Sequence, residues 1–231
     1  MNIPILYEDD YCICVCKPND VVVHHAYHSR NVLHEQSLLQ LLEADYGKKF
    51  YPVHRLDRRT SGIILLTKET KFVAEFQKLF TENTIEKCYY GVVRGHAPEE
   101  KIIDSPVKGK DSKVYKDAET LLQCVQTITV DIPVGPYDTS RYSLVKLTPK
   151  TGRLHQLRIH MNKISYPLIG DGKYGDKKHN AMYETNFGWD NLFLHATSLT
   201  FTHPYTKEAL VLKADFPKNW LELFVKFEWE V

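Results

Sequence analysis

Apolar positions along the chain switch between two-residue and helical spacing. Ile3 to Val15 reads as strand, turn, strand, with Glu8-Asp9-Asp10 turning between the strands. Cys12, Cys14 and Cys16 alternate with Ile13 and Val15, which places the three cysteines on one strand face. Ser37 to Tyr46 carries Leu38, Leu39, Leu41 and Leu42 ahead of Gly47, and predicts a helix with a glycine stop. Gly62 to Thr67 is a short apolar run and predicts a buried strand. From Glu69 to Phe80 the stripe Phe72, Val73, Phe76, Leu79 and Phe80 predicts a helix. Ile85–Val93, Leu121–Val130 and Tyr142–Leu147 read as strands, and Leu157, Met161 and Ile164 as a short helix. Leu192–Phe201 and Ala209–Lys213 close the sheet, with His203-Pro204-Tyr205-Thr206 turning between them. Many strands and few helices, out of strict alternation, predict an α+β fold. Its central sheet is expected to be mixed and largely antiparallel, in a single domain spanning 1–231.

Composition narrows the class without naming it. Hydrophobic residues are 43% and charged residues 26% of 231, which excludes a disordered chain. No apolar run is long enough to span a membrane, and Met1 to Asp10 lacks the features of a secretory leader. Five cysteines without a disulfide-like spacing point to a reducing, cytoplasmic setting. Same-face cysteines diverge too little to wrap one ion, and His24, His25 and His28 have no suitably spaced partner, so no metal is expected. No glycine-rich dinucleotide fingerprint or phosphate-binding loop occurs, so no nucleotide cofactor is expected.

The formal net charge is only +1, yet the charge is unevenly distributed. Arg141 to Lys178 holds nine Lys or Arg against two Asp, and Arg55, Arg58 and Arg59 surround Asp57. Tyr89, Tyr90, Tyr142 and Tyr174 add aromatic surface of the kind a polyanion with unstacked bases needs, so RNA or DNA binding is one reading. Asp57 lies in a polar, glycine-ended turn, where an ionised carboxylate serves as nucleophile, as general base, or as a structural bridge between loops. No second carboxylate motif accompanies it, which weakens a glycosidase reading, and Ser61 lacks the nucleophile-elbow glycines.

Five motifs then carry a resemblance. His54-Arg55-Leu56-Asp57-x-x-Thr60-Ser61-Gly62, Lys87-x-Tyr89 leading to Val93-x-Gly95, Thr151-Gly152-Arg153-x-His155-Gln156-Leu157-Arg158, Pro167-Leu168-Ile169-Gly170-Asp171-x-x-Tyr174-Gly175, and Leu194-His195-Ala196 with His203-Pro204 follow one another in order. Together they resemble the RluA-type family of RNA pseudouridine synthases. The opening, Ile5-Leu6-Tyr7-Glu8-Asp9 to Lys17-Pro18, resembles the start of the family's catalytic domain, so the N-terminal S4-type RNA-binding domain of some relatives is expected to be absent. The resemblance implies isomerisation of uridine to pseudouridine, with no cofactor, metal or membrane partner. It implies that Asp57 is the catalytic carboxylate, Arg158 its basic partner, and Tyr89 the ring that stacks on the extruded base. Arg55 would fill the space the flipped uridine leaves. Softer features around His24-His25-Ala26, Arg141-Tyr142 and Phe187-Gly188-Trp189 resemble the members that act on tRNA, which implies a T-stem/acceptor uridine, U65, as target. Ribosomal RNA as substrate, and a noncatalytic RNA-binding protein, remain the alternatives.

Overall fold

A computed structural model describes residues 3–25, 35–108 and 114–231. Its elements, in chain order, begin with β1 (Ile5–Glu8), β2 (Cys12–Lys17), α1 (Leu38–Tyr46), β3 (Tyr51–Pro52) and β4 (Ser61–Thr67). After a turn of 3-10 helix at Thr70–Phe72 come α2 (Val73–Thr81), β5 (Glu86–Arg94), β6 (Glu100–Asp104), β7 (Val107–Lys108) and β8 (Tyr115–Lys116). β9 (Glu119–Val130), β10 (Ser140–Pro149), α3 (Gln156–Lys163), α4 (Lys177–Phe187), β11 (Leu194–Thr202), β12 (Ala209–Lys213) and α5 (Lys218–Phe227) complete the chain. The expected α+β class holds. His28, one of the clustered histidines, and Ala26 lie outside the described residues.

The chain divides into two compact units, each discontinuous in sequence. The first is Met1–Glu86 with Ala196–Asp215. Its strands run in the order β1-β2-β4-β11, with β12 on β11 and β3 on β4. β2 and β4 pair antiparallel from Cys12 opposite Thr67 to Lys17 opposite Gly62. Every residue of β4 is buried, as its unbroken apolar run requires. α1 starts where Ser37 accepts from the Gln40 N–H while the Gln40 side chain returns to the Ser37 N–H, and it stops at Gly47 in the left-handed region. The cysteines occupy β2 as expected, with Cys12 and Cys14 fully buried and burial pushing both thiols up.

The second unit is Lys87–His195 with Phe216–Val231. Its strands run β5-β10-β9-β6, with antiparallel pairing throughout. β5 separates two apolar clusters. Tyr89, Val93 and Leu147 face Leu157 and Met161 of α3, whereas Tyr90, Val92 and Leu144 belong with the aromatic group around Tyr183, Phe193 and Trp220. α5 closes that group by burying Trp220, Leu223, Phe224 and Phe227, a full helical stripe worth about 1.5–3 kcal/mol for each large side chain. Tyr142, expected beside an RNA groove, is instead fully buried here, with its hydroxyl 2.8 Å from His179 Nδ1. Its face of β10 packs on the cluster of Tyr183 and Phe227, which sequence spacing alone does not reveal.

Candidate active site

In the first unit the site is the loop between β3 and β4. Asp57 is half-buried there and Arg55 is exposed. The Thr60 N–H donates to the Asp57 carbonyl at 3.1 Å and closes the turn. Gly62, which ends it, has φ +109°, and a Cβ there would lie 2.1 Å from the Ala196 carbonyl oxygen, so only glycine lets β4 pass β11 this closely. His54 Nε2 accepts from the Leu65 N–H at 2.9 Å, and its ring stacks on Phe80 with centroids 4.3 Å apart. His54 thus anchors the loop.

Lys17 holds the same loop from inside. It is fully buried, and its Nζ donates to the carbonyls of Pro18 and Val21 at 2.8 Å and of Arg58 at 3.0 Å. Burial lowers its pKa to about 7, opposed by the carboxylates of Asp20 and Asp57. The end of β2 and the turn that follows Asp57 are therefore fastened to one ammonium. The arginine cluster is partly engaged elsewhere. Arg58 Nη2 pairs with Glu35 at 2.6 Å, and Arg59 Nε lies 3.6 Å from Asp20. The basic ring expected around Asp57 therefore spends part of its charge on neighbouring carboxylates.

In the second unit, Tyr89 is half-buried on β5, opposite Leu147. Arg158 is buried on α3, and its ion pair with Asp171 is bidentate. Nε reaches Oδ2 at 2.7 Å and Nη2 reaches Oδ1 at 2.8 Å. The Asp171 carboxylate also accepts from the N–H groups of Lys173 at 2.9 Å and Tyr174 at 3.0 Å. Burial alone would raise its pKa, but the Arg158 guanidinium and these N–H groups outweigh burial and hold it below the usual range. The Tyr174 ring lies under the guanidinium, 5.3 Å from Cζ. α3 is set by Gln156, whose Oε1 accepts from Thr151 and the Arg153 N–H and whose Nε2 donates to the Glu119 carbonyl and Thr120. Asp171 is the residue the sequence reading misses. It stands in the Gly170-Asp171-x-x-Tyr174 motif, and only its pairing with Arg158 reveals its use.

Seven basic residues of the stretch from Arg141 to Lys178 are exposed: Arg141, Lys150, Arg153, Lys163, Lys173, Lys177 and Lys178. Among the described residues, one His/Cys/Asp group, Asp9, Cys12 and His203, brings its ligand atoms within 4.8 Å of one another. His203 Nδ1 already accepts from the N–H groups of Tyr205 and Thr206, so the neutral ring keeps its proton on Nε2, and the Cys12 thiol is pushed up by burial. This group suits a hydrogen-bonded turn better than an ion.

Residues 10–163 match the RNA pseudouridylate synthase family. The chain belongs to that family. The likeness extends along the whole chain: a tRNA pseudouridine synthase C of Vibrio parahaemolyticus is 35% identical over 100% of this chain and 97% of its own. The Pasteurella multocida protein of the same name is 37% identical over 100% of this chain and 98% of its own. Human RNA Pseudouridylate Synthase Domain Containing 4 shares the fold at a TM-score of 0.74 and 22% identity, covering 99% of this chain and 94% of that one. The RluA-type resemblance and the α+β pseudouridine synthase fold are thereby established for this protein.

Proposed function

We propose that this member of the RNA pseudouridine synthase family isomerises a uridine of tRNA, in the T-stem/acceptor region at U65. The observation that carries the tRNA assignment is the likeness, over essentially the full chain, to relatives named for tRNA. The chemistry follows from the side chains. Asp57, on a loop fastened by Lys17, supplies the carboxylate that acts as nucleophile or base. Tyr89 supplies a stacking ring for the extruded base, and exposed Arg55 supplies a planar cation to fill the gap the base leaves. Arg158, locked in orientation by Asp171, is the basic partner of the reaction. The exposed lysines and arginines from Arg141 to Lys178 contact phosphates.

The test uses transcripts of tRNA and of large-subunit rRNA fragments, incubated with wild type and with Asp57→Asn and read by carbodiimide primer extension. Wild type is expected to modify tRNA. Asp57→Asn, which keeps size but not charge, is expected to bind tRNA and leave it unmodified. Modification confined to rRNA refutes the tRNA substrate, and an active, folded Asp57→Asn refutes the role of Asp57.

A further inference from the structure

Three lysine or arginine side chains are buried among the described residues: Lys17, Lys87 and Arg158. The fold provides acceptors for two of them. Lys17 has three carbonyls and Arg158 has the Asp171 carboxylate. Lys87 is 6% exposed and has no hydrogen bond or ion pair among the described residues. Burial lowers its pKa, and among the described residues no carboxylate offsets the desolvation of this amine. Its Nζ is not one of the buried side-chain atoms that lack a partner, so the stem is covered while the ammonium at its tip reaches solvent and stays open to a ligand.

Its position suggests what that ligand is. Lys87 and Tyr89 are two residues apart on β5, hence on one face and about 6.6 Å apart along the strand. Cys88 and Tyr90 point to the other face, where Tyr90 meets Phe216. The Lys87 side chain thus leaves β5 on the face that carries the ring assigned to the extruded base.

We propose that the Lys87 ammonium contacts a carbonyl oxygen of the target uracil and stabilises the negative charge that the ring acquires during isomerisation, a role that rests on the pseudouridine synthase reading above. When the N1–C1′ bond breaks, its electron pair stays on the ring and spreads over N1, O2 and O4. The C5–C1′ bond then forms from that pair, C5 gives up its proton and N1 gains one, so the sum is an isomerisation. If a carboxylate adds first at C6, the C5=C6 pair moves onto O4. Charge reaches a carbonyl oxygen on either route, and a partly desolvated cation placed there acts more strongly than in bulk water. Phosphates, by contrast, meet the exposed lysines from Lys173 to Lys178.

The experiment compares wild type, Lys87→Met and Lys87→Arg in single-turnover conversion of tRNA, in tRNA binding across a salt series, and in thermal melting. Lys87→Met should lose roughly 100-fold in rate, the scale of one oxyanion donor. It should bind tRNA with unchanged affinity and salt slope and melt no earlier than wild type, and Lys87→Arg should recover part of the rate. Wild-type rates in Lys87→Met overturn the proposal. So does a defect confined to binding with the salt slope reduced by roughly 0.7–0.9, which marks a phosphate contact. Activity lost only in step with the folded fraction makes Lys87 structural and overturns it too. A wild type inert on every RNA defeats the enzymatic reading itself, and the Lys87 role with it.

Discussion

Asp171→Asn is the perturbation that most directly probes the candidate residues of the second unit. Asp171 is 1% exposed, and its carboxylate accepts two bonds from Arg158 and two from backbone N–H groups. Asparagine keeps the size, and its carbonyl oxygen retains the backbone bonds. It loses the negative charge and turns an NH2 toward the guanidinium. Breaking one side of a buried ion pair costs about 3–5 kcal/mol, because the remaining charge is stranded. The retained backbone bonds put this case at the lower end, near 3 kcal/mol, which corresponds to a melting temperature lower by roughly 6–12 °C for a chain of this size. Urea denaturation at neutral pH measures the loss. Adding Arg158→Met to Asp171→Asn removes the guanidinium that has lost this carboxylate and should restore part of the stability, while conversion of uridine stays low. Acid provides a second reading. The folded pKa of Asp171 is depressed, so its contribution is complete above the unfolded value of about 3.9 and is lost as pH falls through the folded value. A loss below about 1 kcal/mol for Asp171→Asn, or no recovery in the double variant, would refute the argument that this pair is what positions Arg158.

Two further outcomes are expected. Reversal of Lys173, Lys177 and Lys178 to Glu should weaken tRNA binding and flatten its salt dependence, since all three are exposed; affinity indifferent to both would place this surface off the RNA path. His203 is fully buried, its pKa is lowered by burial, and its Nδ1 accepts two backbone N–H bonds that protonation would forfeit. The unfolded chain therefore takes up this proton first, and stability falls as pH drops from about 6.5 through the depressed folded value. The melting-temperature difference between pH 7.5 and 5.5 should shrink in His203→Gln; an unchanged difference would assign the acid sensitivity to other groups.

Much of this protein is legible from local pattern. The two-residue alternation of Cys12 to Cys16 forms a strand because period-two residues share a face, and Ser37 with Gln40 and Gly47 bounds a helix because each satisfies an orphaned end group. The Asp57, Tyr89 and Arg158 motifs are contiguous signatures, so family membership is carried by order along the chain. Other features need the fold. β6 is short and has Ile102 exposed, so its apolar pattern is weak, and it exists because β9 presents an edge to pair with. α5 is absent from the sequence expectation although Trp220, Leu223, Phe224 and Phe227 have helical spacing, and its role as cover for the Tyr183 cluster appears only once β5 and β10 are assembled.

The division has one physical reason. Amphipathic period, capping and turn chemistry act between residues a few positions apart, and the sequence alone determined them. Burial and pairing act between residues brought together by chain reversal, and only the tertiary structure decided those. Tyr142 became core instead of groove because its face of β10 packs on the Tyr183 cluster. Arg158 acquired Asp171, 13 residues away, as its bidentate partner. The cost of burying a charge then separates the cations further: Lys17 and Arg158 find acceptors inside the fold, whereas Lys87 has its stem covered and its ammonium open to solvent.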